Sequence, residues 1–178
     1  SGAVCKIREI IDSGELGDIL YVDSVRINLG IFQSDVGVIG DLAPHDLSIV
    51  DYLVDATPKT ASAIGIAPVS YKDKTPESLV YATIRFDNDL LAHFHLSWLS
   101  PVKIRRMLIG GSKKTVVYDH LDTDNQIKIY DKGLIIETDG ARRRLLSERK
   151  SGDLYAPKVD QDEPLERVCA HFVECALR

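Results

Sequence analysis

The sequence predicts an α+β domain built on a large, mainly antiparallel (mixed) β-sheet, open on one face and packed with helices on the other. Three observations carry this. Runs rich in Val, Ile, Tyr and Thr recur through residues 59–137 and are joined by turns of Gly, Asn and Asp, the pattern of antiparallel hairpins. Apolar residues recur at helical spacing near both ends and once between them. Val80, Ala82, Ile84 and Phe86 alternate with Tyr81, Thr83 and Arg85, so that strand has one apolar and one mixed face, and the mixed face suits solvent or a partner sheet.

Val4, Ile7, Ile10 and Ile11 set a first helix that ends near Ser13-Gly14. After a turn at residues 15–18, Ile19 to Leu29 is a strand, and the glycine-containing stretch 30–40 is a loop. A second helix is expected to start near Pro44, because proline favours the first helical position and pushes the preceding residue out of helical geometry. It carries Leu47, Ile49, Val50, Leu53 and Val54. Strands follow over 59–67, 79–86, 90–99, 104–109, 115–118, 127–130 and 134–137. Residues 140–161 are charged and aperiodic and are expected to be an extended surface arm, with a last helix beginning after Asp162.

At 178 residues and 44% hydrophobic, the chain is one domain with enough apolar mass for a core. Its formal net charge of −5 argues against a general nucleic-acid binder. No stretch approaches the roughly 18 apolar residues of a membrane helix. The three cysteines, Cys5, Cys169 and Cys175, form no CxxC or Cys/His cluster, which fits a reduced, cytoplasmic protein with no metal site. Both ends run directly into helical pattern, so both are expected to be cuts through a longer chain.

No strand leads through GxGxxG into a helix, so the dinucleotide-binding fingerprint is missing. Gly110-Gly111-Ser112 leads from strand to strand and is a hairpin turn. There is no phosphate loop and no nucleophile elbow.

The stretch with chemistry in it is Gly40-Asp41-Leu42-Ala43-Pro44-His45-Asp46-Leu47, two carboxylates and an imidazole at the expected start of a helix. The helix dipole favours an anion there and opposes a second positive charge. A neutral imidazole at His45 can accept a proton as a general base, with Asp41 or Asp46 fixing its tautomer. The same residues also fit a plainer role, an aspartate capping the helix and a histidine at the edge of the core. Arg26, Lys103, Arg105 and Arg106 could meet a phosphate group or be solvated strand charges. His93 and His95 share a sheet face two residues apart and lack a third ligand for zinc. Trp98 suits either stacking on a sugar or the core.

Leu16-Gly17-Asp18-Ile19, followed by a strand, a glycine-containing loop and Asp41-Leu42-Ala43-Pro44-His45-Asp46, resembles the C-terminal domain of the glucose–fructose oxidoreductase, inositol dehydrogenase and rhizopine-catabolism (Gfo/Idh/MocA) family. Asp41 and His45 match the family's Asp-x-Gly-x-His, with Ala43 in place of the glycine and Ser48 where many members have a second Asp. Leu90 to Trp98, Met107 to Ser112, Tyr155-Ala156-Pro157-Lys158, Glu163-Pro164-Leu165 and His171-Phe172 extend the resemblance over nearly the whole chain.

The resemblance implies the C-terminal half of an NAD(P)-dependent oxidoreductase acting on a sugar-like alcohol. The Asp-Leu-Ala-Pro-His-Asp variant is similar to members acting on nucleotide-linked sugars. It implies catalytic roles for His45 and Asp41 and a substrate pocket that includes Asp46, Arg26 and Lys103. NAD or NADP would be held by an N-terminal Rossmann domain, which would also supply the lysine of a Glu-Lys-Pro motif that this chain does not contain. Residues 1–178 would then be one substrate-binding and oligomerisation domain, binding no cofactor alone and forming a homo-oligomer through the open sheet face. A non-catalytic binding or dimerisation module with the same fold is the alternative.

Overall fold

The computed structural model describes the whole chain except Tyr71, Lys132, Gly140, Ala141, Ser151, residues 160–163 and Arg178, and gives the backbone alone of 133–139, 142–150, 164–168 and His171. Helix α1 spans Gly2–Asp12, β1 Ile19–Leu29, α2 Val38–Leu53, β2 Pro58–Ile66, β3 Leu79–Phe86, β4 Leu91–Ser97, β5 Leu99–Gly111, β6 Thr115–Asp119, β7 Ile127–Tyr130, β8 Gly133–Asp139, β9 Arg142–Lys150, β10 Leu154–Tyr155 and α3 Pro164–Leu177. Eight strands form one sheet in the order β10-β7-β6-β5-β1-β4-β3-β2, and β8 pairs β9 apart from it. Every pairing is antiparallel except β1 with β4. The expected mixed, mainly antiparallel sheet is therefore present.

Register carries the alternation across the sheet. Val80, Ala82 and Ile84 stand opposite Leu96, Phe94 and Ala92, which stand opposite Arg26, Ser24 and Val22. These in turn oppose Arg105, Met107 and Ile109, and the row continues to Val116, Tyr118, Ile127 and Ile129. Most of these side chains are buried and form one core with Ala3, Val4, Ile7 and Ile10 of α1 and Val38, Leu42, Ala43, Val50 and Leu53 of α2. The helices thus cover one face. The other presents Tyr21, Tyr81, Leu91, His93 and His95 without a covering layer among the described residues, and Tyr21, Tyr81 and Leu91 are exposed. The described side chains of α3, those of Cys169, Ala170 and residues 172–177, are exposed as well.

Four expectations are corrected. Helix α2 begins at Val38, six residues before Pro44, because Val38 continues the buried stripe of Leu42, Val50 and Leu53 at helical spacing. Pro44 therefore lies inside the helix. Where an extended surface arm without pairing was expected over 140–161, residues 142–150 and 154–155 form paired strands; residues 140–141, 151 and 160–161 of that segment lie outside the described residues. Strand β5 starts at Leu99, five residues earlier than expected, and only Trp98 separates it from β4. The reversal after β5 falls at 112–114, with Gly111 N–H donating to Lys114 O at 3.0 Å. Gly110 lies within the strand, where a Cβ would collide with the Tyr21 ring.

Candidate active site

The sheet has one end at which β1, β4 and β6 finish and β5 begins, as their pairings require. The first half of α2 lies over this end. Its sheet-facing stripe of Leu42, Ala43 and Asp46 is buried, while Pro44, His45 and Leu47 are exposed. Asp41 and His45 are one turn apart on the flank of the helix, since positions i and i+4 share a face.

Asp41 does not turn to His45. Its Oδ2 accepts a hydrogen bond from Trp98 Nε1 at 3.0 Å, and it sits in the first turn of α2, where the dipole favours a carboxylate. Trp98 is only 1% exposed. The Phe32 ring meets it edge-on with centroids 5.5 Å apart, and Gly30 lies so close that a Cβ there would run into the indole. Its backbone N–H donates to Ser78 O at 2.9 Å, and its carbonyl accepts from Gly30 N–H at 3.0 Å. Trp98 is thus a core residue whose polar edge reaches the site, an arrangement the spacing in sequence could not reveal.

His45 is exposed. Its carbonyl accepts from Ser48 Oγ at 2.9 Å, and among the described residues its ring has no hydrogen-bond partner. Because α2 starts at Val38, His45 lies in the third turn. The dipole acts mainly on the first turn, so the expected electrostatic support for a neutral His45 is gone, and its accessibility remains.

Asp46 is 3% exposed and fully engaged. Ser24 Oγ donates to its Oδ2 at 2.9 Å and Arg26 Nε to its Oδ1 at 2.9 Å. Asp46 was expected to touch substrate; here it anchors Arg26 beneath the helix. Lys103 is exposed on β5. Arg106, on the opposite face from Lys103 and Arg105, donates to Asp119 Oδ2 at 2.8 Å.

Beyond Arg26, strand register places Arg105 on β5 and then His120, whose N–H donates to Arg105 O at 2.9 Å. The Tyr118 hydroxyl and His120 Nδ1 are 3.0 Å apart. Burial pushes the Tyr118 hydroxyl upward in pKa. His120 is held below the usual histidine value, first by partial burial and then by the fields of Arg105, Arg26 and Lys103. In the sequence alone His120 has no role and Arg105 is only one of four basic residues that could meet a phosphate; the signal that sets Arg105 and His120 apart lies in the pairing of Arg26 with Arg105, which requires the register.

An apolar groove of about 310 Å³ between α2 and β2–β3 is lined by Ile39, Ala43, Ala61, Ala82, Ile84 and Phe94 among others and has no ionisable group in its lining. Among the described residues, no three His, Cys, Asp or Glu side chains gather as metal ligands. No helix among them is long and apolar enough to cross a membrane.

Residues 4–117 match the family described as the GFO/IDH/MocA C-terminal domain. The chain belongs to this oxidoreductase family. Glu163 and the side chain of His171, on which part of the resemblance rests, lie outside the described residues. A comparison with curated proteins found no match.

Among solved structures, UDP-N-acetylglucosamine 3-dehydrogenase from Acidithiobacillus ferrooxidans is similar over 97% of this chain and 53% of its own, with a TM-score of 0.70 and 23% identity. Aldose-aldose oxidoreductase from Caulobacter crescentus, complexed with glycerol, matches over 99% and 51%, with a TM-score of 0.73 and 15% identity. An inositol dehydrogenase homolog from Azotobacter vinelandii, complexed with NADH and myo-inositol, matches over 92% and 46%, with a TM-score of 0.66 and 17% identity. At these identities the likeness shows the fold. The chain spans about half the length of each of these proteins.

Proposed function

We propose that this chain is the substrate-binding and self-associating domain of an NAD(P)-dependent oxidoreductase that acts on a sugar-like alcohol, nucleotide-linked sugars included. The carrying observation is the pair Asp41 and His45, one turn apart on α2 at the sheet end where Arg26, Lys103 and Arg105 gather. The names of the similar solved proteins, sugar and inositol oxidoreductases, support the substrate class.

No glycine-rich strand-to-helix turn in the sequence offers a dinucleotide cradle, so NAD or NADP would be held by a Rossmann domain outside this chain. The bound nicotinamide would supply hydride chemistry. His45 takes the proton of the substrate hydroxyl or returns it. Asp41, fixed by Trp98, stands one helical turn from that step. Asp46 holds Arg26 beneath α2, and Lys103 is exposed at the same end of the sheet. The uncovered sheet face, with Tyr21, Tyr81 and Leu91, is the surface for a second copy.

Replacing His45 with Asn in the complete gene product tests this reading. A positioned general base is worth ~10²–10⁴ in rate, so kcat should fall by that order while the melting temperature and oligomeric state hold. Turnover within a few-fold of wild type would sink the catalytic reading and favour a binding module of the same fold.

A further inference from the structure

The cations at the active end of the sheet divide into those already neutralised and those that are not. Arg106 is held by Asp119 on the open face, and Arg26 is held by Asp46. Arg105 stands directly opposite Arg26 in the β1–β5 register, on the helix side of the sheet. Its Nε is buried and has no hydrogen-bond partner among the described residues. Lys103 projects from the same side of β5, two residues away. His120 continues the row on the far side of Arg105, with Nδ1 turned to Tyr118.

In the row Arg26–Arg105–His120 flanked by Lys103, Asp46 is paired with Arg26 and the neighbouring Asp119 with Arg106, so among the described residues Arg105 and Lys103 are left without a carboxylate partner. Like charges directly across a strand pair repel, and a buried guanidinium N–H without an acceptor is unfavourable. Both costs are offset by an oxyanion lying among these groups, since guanidinium and ammonium donors pair strongly with phosphate and carboxylate oxygens. His120 is held below the usual histidine value by partial burial first and then by Arg105, Arg26 and Lys103, in keeping with this placement. The row borders α2 at Asp46, the residue after His45.

We propose that Arg105, Lys103 and His120 form an anion subsite that binds a phosphate or carboxylate group carried by the substrate. Arg26 is the wall of that subsite, spent on Asp46 and not available as its main ligand. The inference rests on the reading of the α2 flank as the substrate site, and it narrows the substrate to an acidic one: a sugar linked to a phosphate, or a sugar acid.

Calorimetric titration of the complete gene product tests it, with inorganic pyrophosphate in one arm, D-glucuronate in a second and uncharged D-glucose as control. Saturable binding in an anionic arm is expected, and the arm that saturates distinguishes phosphate from carboxylate. Arg105→Gln and Lys103→Gln should each weaken that binding by about tenfold or more, whereas Lys113→Gln, an exposed cation in the turn after β5, should leave it unchanged. Lys103 is exposed, so its variant keeps the test open if Arg105→Gln fails to fold. The inference is overturned if neither anion saturates, if the two variants bind like wild type, or if Lys113→Gln weakens binding equally. Loss of turnover in His45→Asn is measured separately, so the wider reading can stand while the subsite falls.

Discussion

Trp98 Nε1 donates to Asp41 Oδ2 at 3.0 Å, and this bond ties the one-residue break between β4 and β5 to the first turn of α2. A buried indole holds a half-buried carboxylate in one orientation, and a phenyl ring in its place would fill most of the volume without the donor. Trp98→Phe should therefore fold with a loss of about 1.5–3 kcal/mol, the usual value of a hydrogen bond to a charged group. In steady-state kinetics of the complete protein, Trp98→Phe and Asp41→Asn should each lower kcat, and the double variant should be little worse than Asp41→Asn alone. Fully additive losses would show that the two residues act independently.

Asp46 and Arg26 form a nearly buried ion pair, with side chains 4% and 11% exposed. Removing one partner of such a pair leaves an uncompensated charge and costs about 3–5 kcal/mol. Asp46→Asn should be strongly destabilised in urea unfolding, and Arg26→Met on the same background should recover part of the loss. A mild effect of Asp46→Asn would mean that water reaches Arg26 freely.

His95 and His120 both sit below the usual histidine value, each through burial first, then His93 for His95 and the three nearby cations for His120. Between their depressed folded values and the ordinary value of about 6.5, the unfolded chain binds more protons than the folded one. Stability should thus fall as pH is lowered through this window and level off above about pH 7. Urea midpoints from pH 8 to 5 check this, and His95→Gln with His120→Gln should flatten the slope. Midpoints that rise on acidification would contradict it.

Tyr81 stacks on His95 with ring centroids 4.5 Å apart on the uncovered sheet face. If this face receives a second copy, Tyr81→Lys buries a charge in that interface and should shift light scattering toward the monomer while leaving the circular dichroism spectrum unchanged. An unaltered molecular mass would place self-association elsewhere.

Much of this molecule was legible in its one-dimensional pattern. Strands β1, β3 and β7 begin and end where β-rich runs meet turn residues, because period-two alternation and Gly, Asn or Asp turns are local properties. The Asp41–His45 spacing was legible for the same reason, as one helical turn needs only neighbouring residues. The start of α2 was misread because Pro44 is a strong local signal for a helix start, whereas the burial of Val38 against the core, which extends the helix, is a tertiary effect. Only the folded sheet decided that Asp41 bonds Trp98, 57 positions away, that Asp46 is spent on Arg26, and that Arg105 stands opposite Arg26 with His120 beyond it. Those relationships depend on strand register and on which side chains are buried together, and no residue carries that information alone.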